Sequence, residues 1–150
     1  MRTALFDLTG RVILVTGSSQ GLGYTLARGL AQAGATVILN GRSPDRLDEA
    51  VAGLREAGLD ARGYAFDVTD GPAVASAIAR IEREVGPIDV LVNNAGIQRR
   101  APLEQFDTAV WREVLDTNLT APFLVGQQVA RGMIARGAGK IINICSLMSE

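Results

Sequence analysis

The sequence predicts an α/β fold, a doubly wound parallel sheet with helices on both faces. Two observations carry this: five short apolar runs alternate with segments of helical periodicity, and a glycine-rich turn joins the first run to the first helix. The 150 residues, 47% hydrophobic with mean hydropathy +0.18, suit one domain, 1–150, with a substantial core. Fifteen basic and sixteen acidic residues leave a net charge of −1, too balanced to hold nucleic acid or an anionic membrane by bulk charge. A small molecule is the expected partner. Cys145 is the single cysteine, so no disulfide can form within the chain, and inside the last apolar run it reads as a small core residue. MRTALFDLTG has no signal-peptide core, and no apolar run is long enough to span a bilayer. A soluble, cytoplasmic protein is expected.

The strands are VILV at 12–15, TVILN at 36–40, GYAF at 63–66, IDVLV at 88–92 and KIINI at 140–144. After the first, Leu22, Leu26 and Leu30 recur at i, i+4, i+8 and predict the apolar stripe of a helix ending at Gly34. Ser43 and Pro44 supply a cap and a first helical residue for the next helix, whose stripe is Leu47, Val51 and Leu54. Asp70 opens a third, with Val74, Ile78, Ile81 and Val85 on one face and Gly86-Pro87 as its stop. One long helix is predicted over 107–136, with Val114, Asn118, Ala121, Val125 and Val129 along its buried face and a kink at Pro122. A buried Asn118 amide must be hydrogen-bonded; it either satisfies a carbonyl at the kink or serves a site.

VTGSSQGLG, residues 15–23, places Gly17, Gly21 and Gly23 between the first strand and the first helix. Glycines there let the backbone turn sharply and approach a pyrophosphate seated on the helix N-terminus. The spacing G-x-x-x-G-x-G differs from the usual G-x-G-x-x-G, and an ordinary glycine-rich turn is the other reading. Its position after the first strand favours a Rossmann-type dinucleotide site. The exit of the fourth strand, NNAG at 93–96, would face the same crevice at the sheet's switch point. The exit of the second strand reads Asn40-Gly41-Arg42, with no carboxylate for the ribose 2′-hydroxyl of NAD. Arg42 could pair instead with the 2′-phosphate of NADP, or be a solvated arginine. Two further pairs of readings stand open: Asp67 as a ligand contact or the cap of a turn with Thr69 and Asp70, and Arg99-Arg100 as a solvated pair or an anion site.

TGSSQGLG, NNAG, an Asn within the long helix, and NICS after the fifth strand together make the chain resemble the short-chain dehydrogenase/reductases over essentially its whole length. LNGR, FDVTD, GPIDVLVNNAGIQRRAPLEQF and KIINICS are similar, within that family, to gluconate 5-dehydrogenases, which interconvert gluconate and 5-ketogluconate with NADP(H). The resemblance implies cofactor contacts from Gly17, Ser18, Ser19, Gln20, Gly21, Leu22, Gly23 and Arg42. It adds Asp67 on the adenine amino group with Val68 beside it, and Asn93, Ala95 and Gly96 at the fourth-strand exit. NADP is the implied cofactor; Gln20 stands where many NADP-using relatives carry a basic residue, so NAD use stays open. Arg100 would bind the sugar-acid carboxylate, Ser146 would orient the substrate oxygen, and Asn118 would support a proton-relay water. No metal is implied.

The family also uses a Tyr-x-x-x-Lys element, which these residues lack. Tyr24 and Tyr64 fall in the first helix and third strand, and Lys140, the single lysine, starts the fifth strand at the far edge from Ser146. General acid catalysis needs hydrogen-bond reach to the reacting oxygen. The expectation is therefore the amino-terminal part of a longer enzyme, a homotetramer at full length and inactive as these residues alone. A 3-oxoacyl-carrier-protein reductase and a non-catalytic NADP-binding module are the alternatives.

Overall fold

The computed structural model describes residues 4–145. After a 3₁₀ turn at Ala4–Phe6 come β1 (Val12–Val15), α1 (Gly21–Gln32), β2 (Thr36–Gly41), α2 (Pro44–Glu56), β3 (Ala61–Ala65), α3 (Gly71–Glu84) and β4 (Val90–Asn93). A second 3₁₀ turn, Leu103–Gln105, leads to α4 (Thr108–Leu115), a π-helical turn (Asp116–Thr120), α5 (Ala121–Arg136) and β5 (Lys140–Asn143). All pairings are parallel in the order β3-β2-β1-β4-β5, so the strand order reverses between β1 and β4. This is the doubly wound sheet expected of the sequence.

Period-2 alternation divides the core. Ile13, Val15, Val37 and Leu39 face α1 and α2, where Leu47, Val51 and Leu54 form the predicted stripe. Leu14, Ile38 and Leu91 face α3 and α5, against Val74, Ile78, Ile81, Val125 and Val129. Burying each such side chain stabilises the fold by roughly 1.5–3 kcal/mol. The Asp70 carboxylate accepts from the Ala73 amide at 3.1 Å and caps α3, as expected. Ser43 holds the N-cap position of α2 without a side-chain cap bond.

Four expectations are corrected. The buried face of α1 is Gly23, Ala27 and Ala31, while Leu22 is 60% exposed; small residues let this helix lie close to the sheet, and Leu26 and Leu30 pack at its flank. The helix predicted over 107–136 is two helices joined by the π turn. Pro122, with no N–H to give, lies in the first turn of α5, where its missing donor is cheapest. Asn118 is exposed rather than on the buried face. Finally, β5 is not buried: among the described residues it pairs with β4 only, Ile141 and Ile142 are open to solvent, and Cys145 lies exposed beyond the strand. No helix among the described residues is long and apolar enough to cross a membrane.

Candidate functional site

The carboxyl ends of β1, β2, β3 and β4 open into one cleft of about 570 Å³ at the reversal of strand order, the place where doubly wound sheets hold their ligands. Its near wall is the β1–α1 turn. Gly17 takes φ +61°, and a Cβ built there would lie 2.8 Å from the Ala95 Cα of the β4 exit. A Cβ at Gly23 would strike the Asn94 amide and the Gly17 carbonyl. The turn is thus pressed against the β4 exit at a separation only glycine allows.

Polar side chains fix that contact. The Asn94 amide donates to the carbonyls of Thr16 (3.0 Å) and Gly17 (3.1 Å), and the Thr16 hydroxyl accepts from the amides of Asn94 and Ala95. On the other side, buried Asn40 accepts from Gly17 N–H at 3.1 Å and donates to the Phe66 carbonyl at 3.0 Å. Sequence spacing singles out neither asparagine: NNAG stands out for its glycine, and Asn40 only as the absence of an acid.

Of the residues implied by resemblance, Gly17, Ser19, Gln20, Gly21, Leu22, Gly23, Arg42, Asp67, Val68, Ala95 and Gly96 line the cleft. Ser18 and Asn93 do not. The Ser18 hydroxyl is buried, donating to Val15 O (2.6 Å) and accepting from Asn40 N; the Asn93 amide donates to Asn143 Oδ1 (2.9 Å) and the Pro122 carbonyl. Both hold the walls together. Arg46, Ser43, Thr69, Ile97 and Thr117 join the lining. Arg42 and Arg46 give the β2 side two guanidinium groups, and Asp67 is the single acid in the lining.

Asp67 fulfils its capping reading, since Oδ1 accepts from the Thr69 amide (2.9 Å) and hydroxyl (2.7 Å). Burial pushes its carboxyl up, but the two Thr69 bonds and the Arg42 charge outweigh that and leave it below the ordinary carboxylate range. It is therefore an anion at neutral pH, with Oδ2 making no hydrogen bond among the described residues.

Asn118 reaches the site through the backbone. Its Oδ1 accepts from Ile97 N–H and its Nδ2 donates to the Ile97 carbonyl, both at 2.8 Å, so the π turn clamps the loop after β4. Thr117, one residue earlier, lines the cleft. Arg99 is tied to Glu113 at 3.2 Å. Arg100 is exposed, outside the cleft lining, and makes no ion pair among the described residues. Ser146 lies outside the described residues.

The tyrosines and the lysine are elsewhere. Tyr64 is buried on β3 and donates to Glu84 at 2.9 Å; burial, then the Glu84 carboxylate, raises its phenol above the ordinary value. Tyr24 lies between α1 and α2, its hydroxyl beside Gly53, and Lys140 pairs with Val90 at the amino ends of the strands. No cluster of three His, Cys, Asp or Glu residues among those described could hold a metal.

A five-stranded parallel sheet whose glycine turn and NNAG exit meet at one switch-point cleft defines a doubly wound, Rossmann-type α/β scaffold. The chain belongs to the short-chain dehydrogenase family, whose model matches residues 11–150. It is 58% identical over 146 residues to gluconate 5-dehydrogenase of Gluconobacter oxydans, covering 97% of this chain and 57% of that one. It is 49% identical to 5-keto-D-gluconate 5-reductase of Escherichia coli K12, covering 97% and 58%. Among solved structures, a gluconate 5-dehydrogenase from Burkholderia cenocepacia, in complex with NADP and tartrate, superposes with TM-score 0.93 at 51% identity, covering 97% of this chain and 57% of that one. The chain thus spans a little under three fifths of the length of these relatives.

Proposed function

We propose that these 150 residues are the amino-terminal, nucleotide-binding part of an NADP-dependent oxidoreductase that interconverts a sugar acid and its keto form, gluconate and 5-ketogluconate. The observation that carries this reading is the cleft itself: a glycine turn packed so tightly on the β4 exit that a Cβ at Gly17 or Gly23 would clash, with Arg42 and Arg46 in the same lining. The likeness to sugar-acid oxidoreductases at 49–58% identity, one solved with NADP, supports it.

On this reading the N–H groups at the start of α1, beyond the Asn40-bound amides of Gly17 and Ser18, hold the pyrophosphate. Arg42, with Arg46 beside it, takes the 2′-phosphate through charge-assisted bonds, and the lack of a carboxylate on β2 avoids repelling it. Phe66 and Val68 line the adenine end, with Asp67 Oδ2 as acceptor for the adenine amino group. Ala95, Gly96 and Ile97 form the floor at the nicotinamide end, held by Asn118. NADP supplies the hydride acceptor or donor; Ser146 orients the substrate oxygen, and Arg100 meets the substrate carboxylate as a guanidinium fork. Tyr24, Tyr64 and Lys140 cannot reach that oxygen as placed, so the acid–base group comes from outside these residues, and the 150 residues by themselves are inactive. We also assign a homotetramer, built on the exposed apolar side chains of Trp111, Leu119 and Phe123 along the α4–α5 segment.

The test is steady-state turnover of the protein at its native length with NADP and gluconate, against NADPH and an acetoacetyl thioester. Gluconate should be the better substrate by kcat/KM, and Arg100→Ala should raise the KM for gluconate about tenfold or more, the loss of one charge-assisted contact. Faster thioester reduction would move the protein to the acyl reductases, and an unchanged KM would remove Arg100 from the substrate site.

A further inference from the structure

Asn40 ends the apolar run of β2 and is 1% exposed, a buried amide with every polar atom accounted for. Its carboxamide joins three segments: Oδ1 accepts from Gly17 N–H at 3.1 Å, and Nδ2 donates to the carbonyls of Phe66 at 3.0 Å and Tyr64 at 3.4 Å. Its backbone is bound to the same turn, accepting from Ser18 N–H at 2.8 Å and donating to the Ser18 hydroxyl at 3.0 Å. The turn at one end of the cleft and the β3 exit at the other are therefore bridged by one rigid planar group. No other described side chain hydrogen-bonds both the Gly17–Gly23 turn and the Phe66–Thr69 segment.

We propose that Asn40 is a positioning residue that sets the distance between the phosphate-holding turn and the adenine-holding segment, and so makes the cleft selective for ligands that engage both ends. The proposal rests on the NADP reading above. A ligand with two recognition groups gains most when the receptor's two half-sites are held at the right spacing beforehand, because the second contact is then effectively intramolecular. A ligand that touches one end gains nothing from that spacing. Asparagine is specified by the chemistry: one atom must accept from an amide and the other must donate to carbonyls, while an aspartate would turn a second acceptor toward Phe66 O and Tyr64 O.

The test uses the protein at native length and two variants, Asn40→Ala and the near-isosteric Asn40→Asp, each checked for fold by circular dichroism. Binding of NADP is measured by calorimetry and binding of adenosine 2′-monophosphate, which reaches the adenine end alone, by ligand-observed NMR. The expected result is NADP binding weakened about tenfold or more in either folded variant, with the mononucleotide weakened by less than about threefold. Equal weakening of both ligands would reduce Asn40 to a general stabiliser, and unchanged NADP binding would remove it from the site; either overturns the proposal. Failure of the unmodified protein to bind NADP would overturn the cofactor reading and this inference with it.

Discussion

At Gly17 a single methyl group has nowhere to go. The residue sits at φ +61°, where an L side chain costs roughly 1–2 kcal/mol, and the added carbon would meet the Ala95 backbone at 2.8 Å. Gly17→Ala is therefore expected to lower thermal stability by at least about that amount and to weaken NADP binding together with it. Thermal unfolding and titration check this; unchanged values would mean that the turn and the β4 exit are not pressed together as described. Gly17, Arg42 and Asp67 were legible in the sequence because their spacing from apolar runs places them at strand exits. Asn40 and Asn94 were not. Their partners lie 23 to 78 positions away, and nothing local in an apolar run says that an amide will find Gly17, Phe66 or Thr16. Helical spacing predicts a buried setting for Asn118 that it does not have, and its contact with Ile97 comes instead from the π turn that carries it.

Among the elements, β1, β2 and β4 could be read directly because a parallel strand covered on both faces is a continuous run of Val, Ile and Leu. The stripes of α2 and α3 likewise matched the buried faces found. α1 misled because its leucines repeat at helical spacing beside the contact face, whereas the contact is made by Gly23, Ala27 and Ala31, which carry little hydrophobic signal. The π turn of Asp116–Thr120 has no periodic signature short of the Pro122 that follows it. That turn presents Thr117 to the cleft and Asn118 to Ile97, so it carries the clamp on the loop after β4. Asn118→Ala removes two hydrogen bonds worth about 0.5–1.5 kcal/mol each. Hydrogen exchange at the Ile97 amide should accelerate by roughly tenfold or more, with amides of β1 and β2 unaffected. Exchange unchanged at Ile97 would show that the loop after β4 is held by something else.

The whole molecule divides its chemistry between the two ends of the sheet. The residues that line the cleft collect at the carboxyl ends of the strands, while the Arg136–Glu82 pair and the Asp89 contact with Val12 N–H tie the opposite end. The apolar side chains of Trp111, Leu119 and Phe123 lie on the outer surface, and their 53–67% exposure is what assembly would cover. Sedimentation of the protein at native length should give a tetramer, dissociated by Phe123→Glu; a monomer would contradict the assembly. The central claim, that the switch-point cleft holds NADP through Gly17–Gly23 and Arg42, is tested most directly by titrating the unmodified protein and Arg42→Ala with NADP and with NAD. NADP should bind the unmodified protein at least about tenfold more tightly than NAD, and the Arg42→Ala change should remove most of that preference while leaving NAD binding intact. Tighter binding of NAD, or a preference for NADP that survives the loss of Arg42, would contradict it.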